Sequence, residues 1–258
     1  LTVIMLIGLA GCGKNQINIK ETGTSYNNEQ MVQNIYENKR TEVKQKISEI
    51  KERLPETSAE DKGTCGSKAK WYYKDNTLII YGEGVITEDT WHKSNIVINT
   101  VVIDSGITKL GNNMFSGLGS EVGKNIENFY IADGLEEIGS STFVNCDCLS
   151  EIVLPPSLYF IDGYTFASCD SLKNVYMTDG VEKIGDSAFT GCKSLDSIFI
   201  PKTVLAIGNG VFTGCNNLSD IQISKDNRIF SEKNNCIINN DTKTLIYAIN
   251  KDFSIPDD

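Results

Sequence analysis

The sequence predicts a solenoid of short parallel strands, and three observations carry that prediction. Phe115, Phe143, Phe166, Phe189 and Phe212 punctuate the chain, 28 residues apart once and then 23 apart every time. Around them one phrase recurs, as in GLEEIGSSTFVNCDCLSEIVLP, GVEKIGDSAFTGCKSLDSIFIP and VLAIGNGVFTGCNNLSDIQI. An apolar triplet follows each phenylalanine, beginning with Leu149, Ile152 and Leu154 and repeating through Leu218, Ile221 and Ile223. No unit of so short a period can bury its apolar face alone, so each must stack on its neighbours.

The elements follow in chain order. Residues 1–11, LTVIMLIGLAG, carry no charge and are nearly all apolar. The run is too short to span a bilayer, which takes about 20 residues, and suits the core of a signal peptide. With Cys12 it ends in Leu9-Ala10-Gly11-Cys12, which resembles a bacterial lipobox. That resemblance implies cleavage before Cys12, diacylation of its thiol and an extracytoplasmic, lipid-anchored location on the bacterial cell surface.

Residues 12–62 read as a tether. A helix is expected over about 29–54, because Val43, Ile47, Ile50 and Leu54 step by four, three and four before Pro55 stops it. Fewer than three clean heptads favour a helical stalk, or a helix docked on the cap, over a dimerising seam. Residues 13–62 hold nine basic and nine acidic side chains, so the formal charge of −10 falls on the rest of the chain. A domain so acidic argues against nucleic acid and anionic lipid as ligands.

Residues 63–104 form an N-terminal cap, residues 105–228 the repeats, and residues 229–258 a hairpin followed by FSIPDD, which opens like another coil. In each repeat the end of the triplet alternates apolar with variable, the period of a strand with one face in a core. Gly111, Gly139, Gly185 and Gly208 follow the isoleucine or leucine of the return path, where a bend at positive φ is expected. The third coil has Asp162 there, with Gly163 next. The phenylalanines should stack as a ladder at the back of the core.

The unit I-G-x-x-x-F-x-x-C-x-x-L-x-x-I-x-I-P resembles the BspA-like class of bacterial leucine-rich repeats, from about residue 64 to the end. The resemblance implies an α/β-type leucine-rich repeat solenoid with irregular or 3-10 return segments. GTCGSKAKWYYKDNTLIIYGEG, residues 63–84, is similar to the β-rich cap that precedes such arrays. It also implies a surface-exposed recognition protein, often discussed as an adhesin, without naming a ligand.

The cysteines read as structural. Cys146, Cys169, Cys192 and Cys215 form a second 23-residue ladder, three positions after each phenylalanine, and are expected as buried free thiols. Cys146 and Cys148 do not have zinc spacing, so no metal is expected, nor any cofactor. Cys65 and Cys236 stand in the cap and the final hairpin with their redox state open. The single histidine, His92, sits beside Trp91 and reads as packing or surface. With no P-loop, G-x-S-x-G, H-E-x-x-H or calcium-loop pattern, catalysis is not expected.

One column is left over. Tyr130, Val153, Tyr176, Phe199 and Gln222 lie 23 apart, at the outward position between the two last inward residues of each strand, with Val102 extending the row. An outward stripe of this kind is a candidate recognition face. Five strands give a face only about 24 Å long. The expectation is a surface module that binds a host or neighbouring-cell protein or glycan through the stripe, with weak contacts multiplied over many copies. The alternative is a structural spacer or coat component with no specific soluble ligand.

Overall fold

The computed structural model describes residues 25–91, 96–117 and 121–249. The leader, Cys12, His92 and the terminal FSIPDD lie outside the described residues.

Helix α1 spans Ser25–Arg53. Its polar face is laced by four-residue contacts such as Gln33 to Glu37 (2.8 Å) and Gln45 to Glu49 (2.9 Å). Lys51 and Arg53 stand in the last turn, where cations suit the helix dipole. Pro55 ends the helix, and Glu56–Ser58 follow as a single 3-10 turn.

The cap is a three-stranded meander of β1 (Asp61–Thr64), β2 (Lys68–Lys74) and β3 (Thr77–Ile86). Asp75 and Asn76 both take positive φ between β2 and β3, the two-residue turn whose twist matches an antiparallel pair. Gly82 and Gly84, also at positive φ, divide β3 so that it seeds two parallel ladders. Thr77–Ile80 pair with β4 (Thr100–Ile103), and Gly84–Ile86 pair with β5 (Ile107–Leu110).

From there each coil contributes a strand to either side of the core. The front ladder continues after the short helix α2 (Glu121–Lys124) as β6 (Asn128–Ile131), β8 (Glu151–Val153), β10 (Asn174–Tyr176), β12 (Ser197–Ile200) and β14 (Asp220–Ile223). The return ladder is β5, β7 (Glu137–Ile138), β9 (Phe160–Ile161), β11 (Lys183–Ile184) and β13 (Ala206–Ile207), all parallel. The return path is thus more regular than the irregular or 3-10 segments expected. From β7 on each return strand has two residues, its isoleucine turned towards the core while its backbone pairs with the next coil.

The phenylalanines form the ladder expected. Phe143, Phe166, Phe189 and Phe212 stack at centroid spacings of 5.1, 5.4 and 5.8 Å, all fully buried. Trp91 stacks on Phe115 at one end, and Tyr247 closes the other edge-on against Phe212 at 5.4 Å. The buried cysteines pair with this ladder. The thiols of Cys146, Cys169, Cys192 and Cys215 each donate to the carbonyl of the phenylalanine one coil earlier, at 2.9–3.2 Å. A small side chain with a weak donor fills the gap and satisfies an inward carbonyl in one step.

Two expectations are corrected. Gly111, Gly139, Gly185 and Gly208 do not take positive φ, which falls instead on Asn113, Ser141, Tyr164, Ser187 and Gly210. The glycines are needed for close approach: a Cβ on Gly185 would stand 2.5 Å from Gly163 N, and one on Gly208 2.4 Å from Asp186 N. The final hairpin has three strands rather than two, β15 (Phe230–Lys233), β16 (Cys236–Asn239) and β17 (Thr244–Ala248). Asn234-Asn235 turns the first pair at positive φ, and the loop ending in Lys243 turns the second.

Candidate functional site

The outward column forms in the expected register, with Val102 opposite Tyr130, Val153 opposite Tyr176 and Phe199 opposite Gln222. What the sequence reading missed is that α1 lies across most of it. Tyr36, Val43, Ile47, Ile50 and Leu54 are buried in one cluster with Tyr72 and Ile79 of the cap and Val102 and Val153 of the ladder, with Tyr130 and Tyr176 packed against it. The helix is docked, over the cap and the first coils together. Burial pushes the Tyr130 and Tyr176 hydroxyls above the ordinary phenol range.

Polar contacts fix the helix from Tyr36 to its C-terminal end. Tyr72 donates its hydroxyl to the Leu54 carbonyl at 2.9 Å, and Tyr36 does the same to Leu154 at 2.9 Å. Arg40 is buried, donating to the Ile131 carbonyl at 2.9 Å and to Asp133 Oδ1 at 2.6 Å. Its Nε is buried without a protein partner. Lys44 reaches the other oxygen of Asp133 at 2.7 Å, and Lys51 reaches Asp104 at 2.5 Å. Burial works to raise the Asp133 pKa, but hydrogen bonds from Lys44 and Arg40 outweigh it and hold the carboxyl below its usual range. Basic helix positions therefore meet carboxylates at the sheet's rim, a local complementarity within a segment whose own charges balance.

Lys39 makes a compound contact. Its Nζ lies 2.9 and 3.2 Å from the two oxygens of Glu151 and 5.6 Å from the centre of the Tyr176 ring. Burial pulls the ammonium pKa down, but the hydrogen bond to Glu151 prevails and raises it. The cation thus sits between a carboxylate and an aromatic face on adjoining strands.

Among the described residues, the buried stripe of the helix leaves the far end of the column open. Phe199 and Gln222 are half-buried and lie beyond the buried stripe of α1, which ends at Tyr36. They line a groove of about 560 Å³ bounded by Glu29 of α1, the rim of β14 and the three-stranded hairpin. The column is thereby split: Tyr130, Val153 and Tyr176 lie against the helix, while Phe199 and Gln222 face the groove.

The chemistry elsewhere is quiet. Burial pushes the Cys65 thiol up to about 12, and a hydrogen bond with Cys215 together with burial drives Cys192 higher still. Among the described residues no cluster of three His, Cys, Asp or Glu could hold a metal ion, and no helix is long and apolar enough to cross a membrane.

Two stacked parallel ladders around a phenylalanine spine define a leucine-rich repeat solenoid. Residues 122–242 match the family described as BspA type leucine rich repeat region, in six copies. No curated protein matches the chain. Among solved structures, a leucine-rich repeat protein from Eubacterium ventriosum ATCC 27560 is similar, with a TM-score of 0.63 at 23% identity over 73% of this chain and 50% of that one. The pneumococcal vaccine antigen PcpA gives 0.53 at 18%, over 73% and 56%. A leucine rich cell surface protein from Faecalibacterium prausnitzii A2-165 gives 0.50 at 21%, over 78% and 66%. This chain spans about half the length of the first two. At such identities the likeness is one of fold.

Proposed function

We propose that this chain is a lipid-anchored recognition module of the bacterial cell surface, held to the membrane through Cys12 and binding a protein or glycan of a host or neighbouring cell. The observation that carries this reading is the uncovered end of the sheet face, where Phe199 stands in a groove although α1 seals the apolar column elsewhere. A sheet that hides its apolar side chains over several strands and then leaves an aromatic open has a surface suited to a partner. The repeat type and the likeness to a described cell surface protein support the location. Within the column, Phe199 and Gln222 make first contact, and Tyr130, Val153 and Tyr176 become available only where α1 lifts.

Contact is modest in area, so adhesion by many anchored copies is favoured over one tight soluble complex. The experiment compares attachment of cells displaying the chain with that of cells displaying Phe199→Ser together with Gln222→Ala, at matched surface density. Loss of attachment by the variant supports the reading. Full attachment removes the groove from it and favours the spacer alternative, which the burial of most of the column by α1 already recommends. Cys12→Ala should release the protein into the medium, and undiminished membrane retention would sink the anchor.

A further inference from the structure

We infer that the groove at Phe199 takes a cationic side chain, Lys or Arg, offered by a basic segment of a partner protein. This deepens the proposed recognition role and rests on it. The template lies in the molecule itself. Where α1 crosses Tyr176, Lys39 fills the space between that ring and the Glu151 carboxylate. Glu151 and Asp220 occupy the same position of the repeat, two residues before the column, as Tyr176 and Phe199 occupy the same place within it.

The groove holds a related pair rather than a copy: the position one coil before Phe199 is Asn174, and the carboxylate, Asp220, lies on the strand one coil after it. Glu29 and Glu232 add carboxylates to its wall, against the single ammonium of Lys225. Asp220 keeps acceptor capacity, since Gln222 Nε2 donates only to its Oδ2, at 2.7 Å. No lysine or arginine of α1 extends this far: the first basic residue of the helix is Lys39, ten positions after Glu29.

Charge complementarity chooses the class of occupant. Among the described residues, every ion pair between α1 and the sheet puts a cation on the occupant and a carboxylate on the rim, at Glu151, Asp133 and Asp104. A volume of about 560 Å³ accommodates one long side chain and its neighbours. An arginine or lysine there stacks on the ring while its head bonds to Asp220, a contact strengthened by the partial exclusion of water. A polyanion would meet three carboxylates and be repelled.

The test uses the full chain and three fluorescent probes: a twelve-residue amphipathic peptide with lysine at its polar positions, the same peptide with glutamate there, and the neutral oligosaccharide maltohexaose. The lysine peptide should bind and the other two should not. Phe199→Ser, and separately Asp220→Asn with Glu232→Gln, should each weaken it by at least about fivefold, the order expected for losing a desolvated cation–aromatic contact or a charge-assisted bond. Glu136→Gln with Glu182→Gln removes the same charge from exposed positions of the return side and should change affinity less than about twofold. Circular dichroism and melting confirm that each variant is folded.

Equal losses in the groove and return-side variants would show unspecific attraction to an acidic protein and overturn the inference. So would preference for the glutamate peptide, or absence of binding to any probe. Oligosaccharide binding sensitive to Phe199→Ser would overturn the cationic ligand while leaving the groove as the recognition site. Conversely, lysine-peptide binding with cell attachment unaffected by Phe199→Ser would keep the ligand chemistry and remove the adhesive role.

Discussion

Helix α1 should open as a unit separate from the solenoid, and Ile47→Ala is the perturbation that shows it. Ile47 is 8% exposed and packs between the helix and the sheet face in the cluster that includes Val102 and Val153. Isoleucine-to-alanine truncation in a packed site costs about 2–5 kcal/mol. This site lies under a single surface helix that can settle towards the sheet, so the lower end, about 2 kcal/mol, applies. Each 1.4 kcal/mol is a factor of ten, so the opened state of α1 should become about 30 times more populated. The helix is covalently tied to β1 only through residues 54–60 and touches the fold on one side, so its release need not melt the ladders.

Amide exchange followed residue by residue reads this directly. Amides of α1 between Tyr36 and Leu54 should exchange about 30 times faster in the variant, while those of Ile152, Ile198 and Ile221 stay within about twofold. An independent reading comes from Tyr130 and Tyr176, whose hydroxyls burial holds high. On release of the helix their ultraviolet titration should move back towards about 10. An acceleration below threefold in α1 would mean that the buried stripe does not hold the helix. Equal acceleration in the ladders would mean that helix and solenoid are one cooperative unit.

Three further outcomes are expected. Phe189→Ala should cost about 3–5 kcal/mol by chemical denaturation, because the ring is fully buried between neighbours at 5.4 and 5.8 Å. Phe199→Ala, on the half-open groove, should cost far less, and equal losses would mean the strand faces are misassigned. The Asp133 carboxyl is held below its ordinary pKa when α1 is docked, so its contribution is complete above about pH 4 to 5 and is lost as the pH falls through the lowered value. Exchange of α1, corrected for intrinsic rates, should thus accelerate on acidification in the native chain and less so in Asp133→Asn; identical acid profiles would remove Asp133 from the latch. Of the seven described thiols only Cys148 is exposed, so under native conditions a bulky disulfide reagent should modify Cys148 quickly and Cys65, Cys146, Cys169, Cys192, Cys215 and Cys236 only on unfolding; rapid labelling of a second thiol would contradict the packing of the ladder.

The repeat architecture was legible because it is local: a residue and its copy 23 positions later sit one coil apart, so period translates into contact. That is why Phe166 and Phe189, or Cys169 and Cys192, could be placed from the sequence alone. The glycine correction has the same root. Gly185 and Gly163 were visible as punctuation, but whether a glycine serves φ or close approach depends on how far apart the coils stack. The docking of α1 was of another kind, since Tyr36 meets Leu154 across 118 residues and no period encodes that distance. Yet two signals pointed to each other. The helix stripe of Val43, Ile47, Ile50 and Leu54 had no partner, and neither did the outward column with its Tyr, Val and Tyr. Two unmatched apolar surfaces in one chain, one flanked by lysines and arginines and the other rimmed by carboxylates, are the expected halves of one interface. The same logic explains what remains open. A helix of 29 residues is about 44 Å long and could cross about nine strands at 4.8 Å spacing. Among the described side chains its buried positions nevertheless run from Tyr36 to Leu54, while Gln30, Met31, Gln33 and Asn34 are exposed. The composition of the helix therefore decides where its buried stripe stops, and among the described side chains it stops one coil short of Phe199.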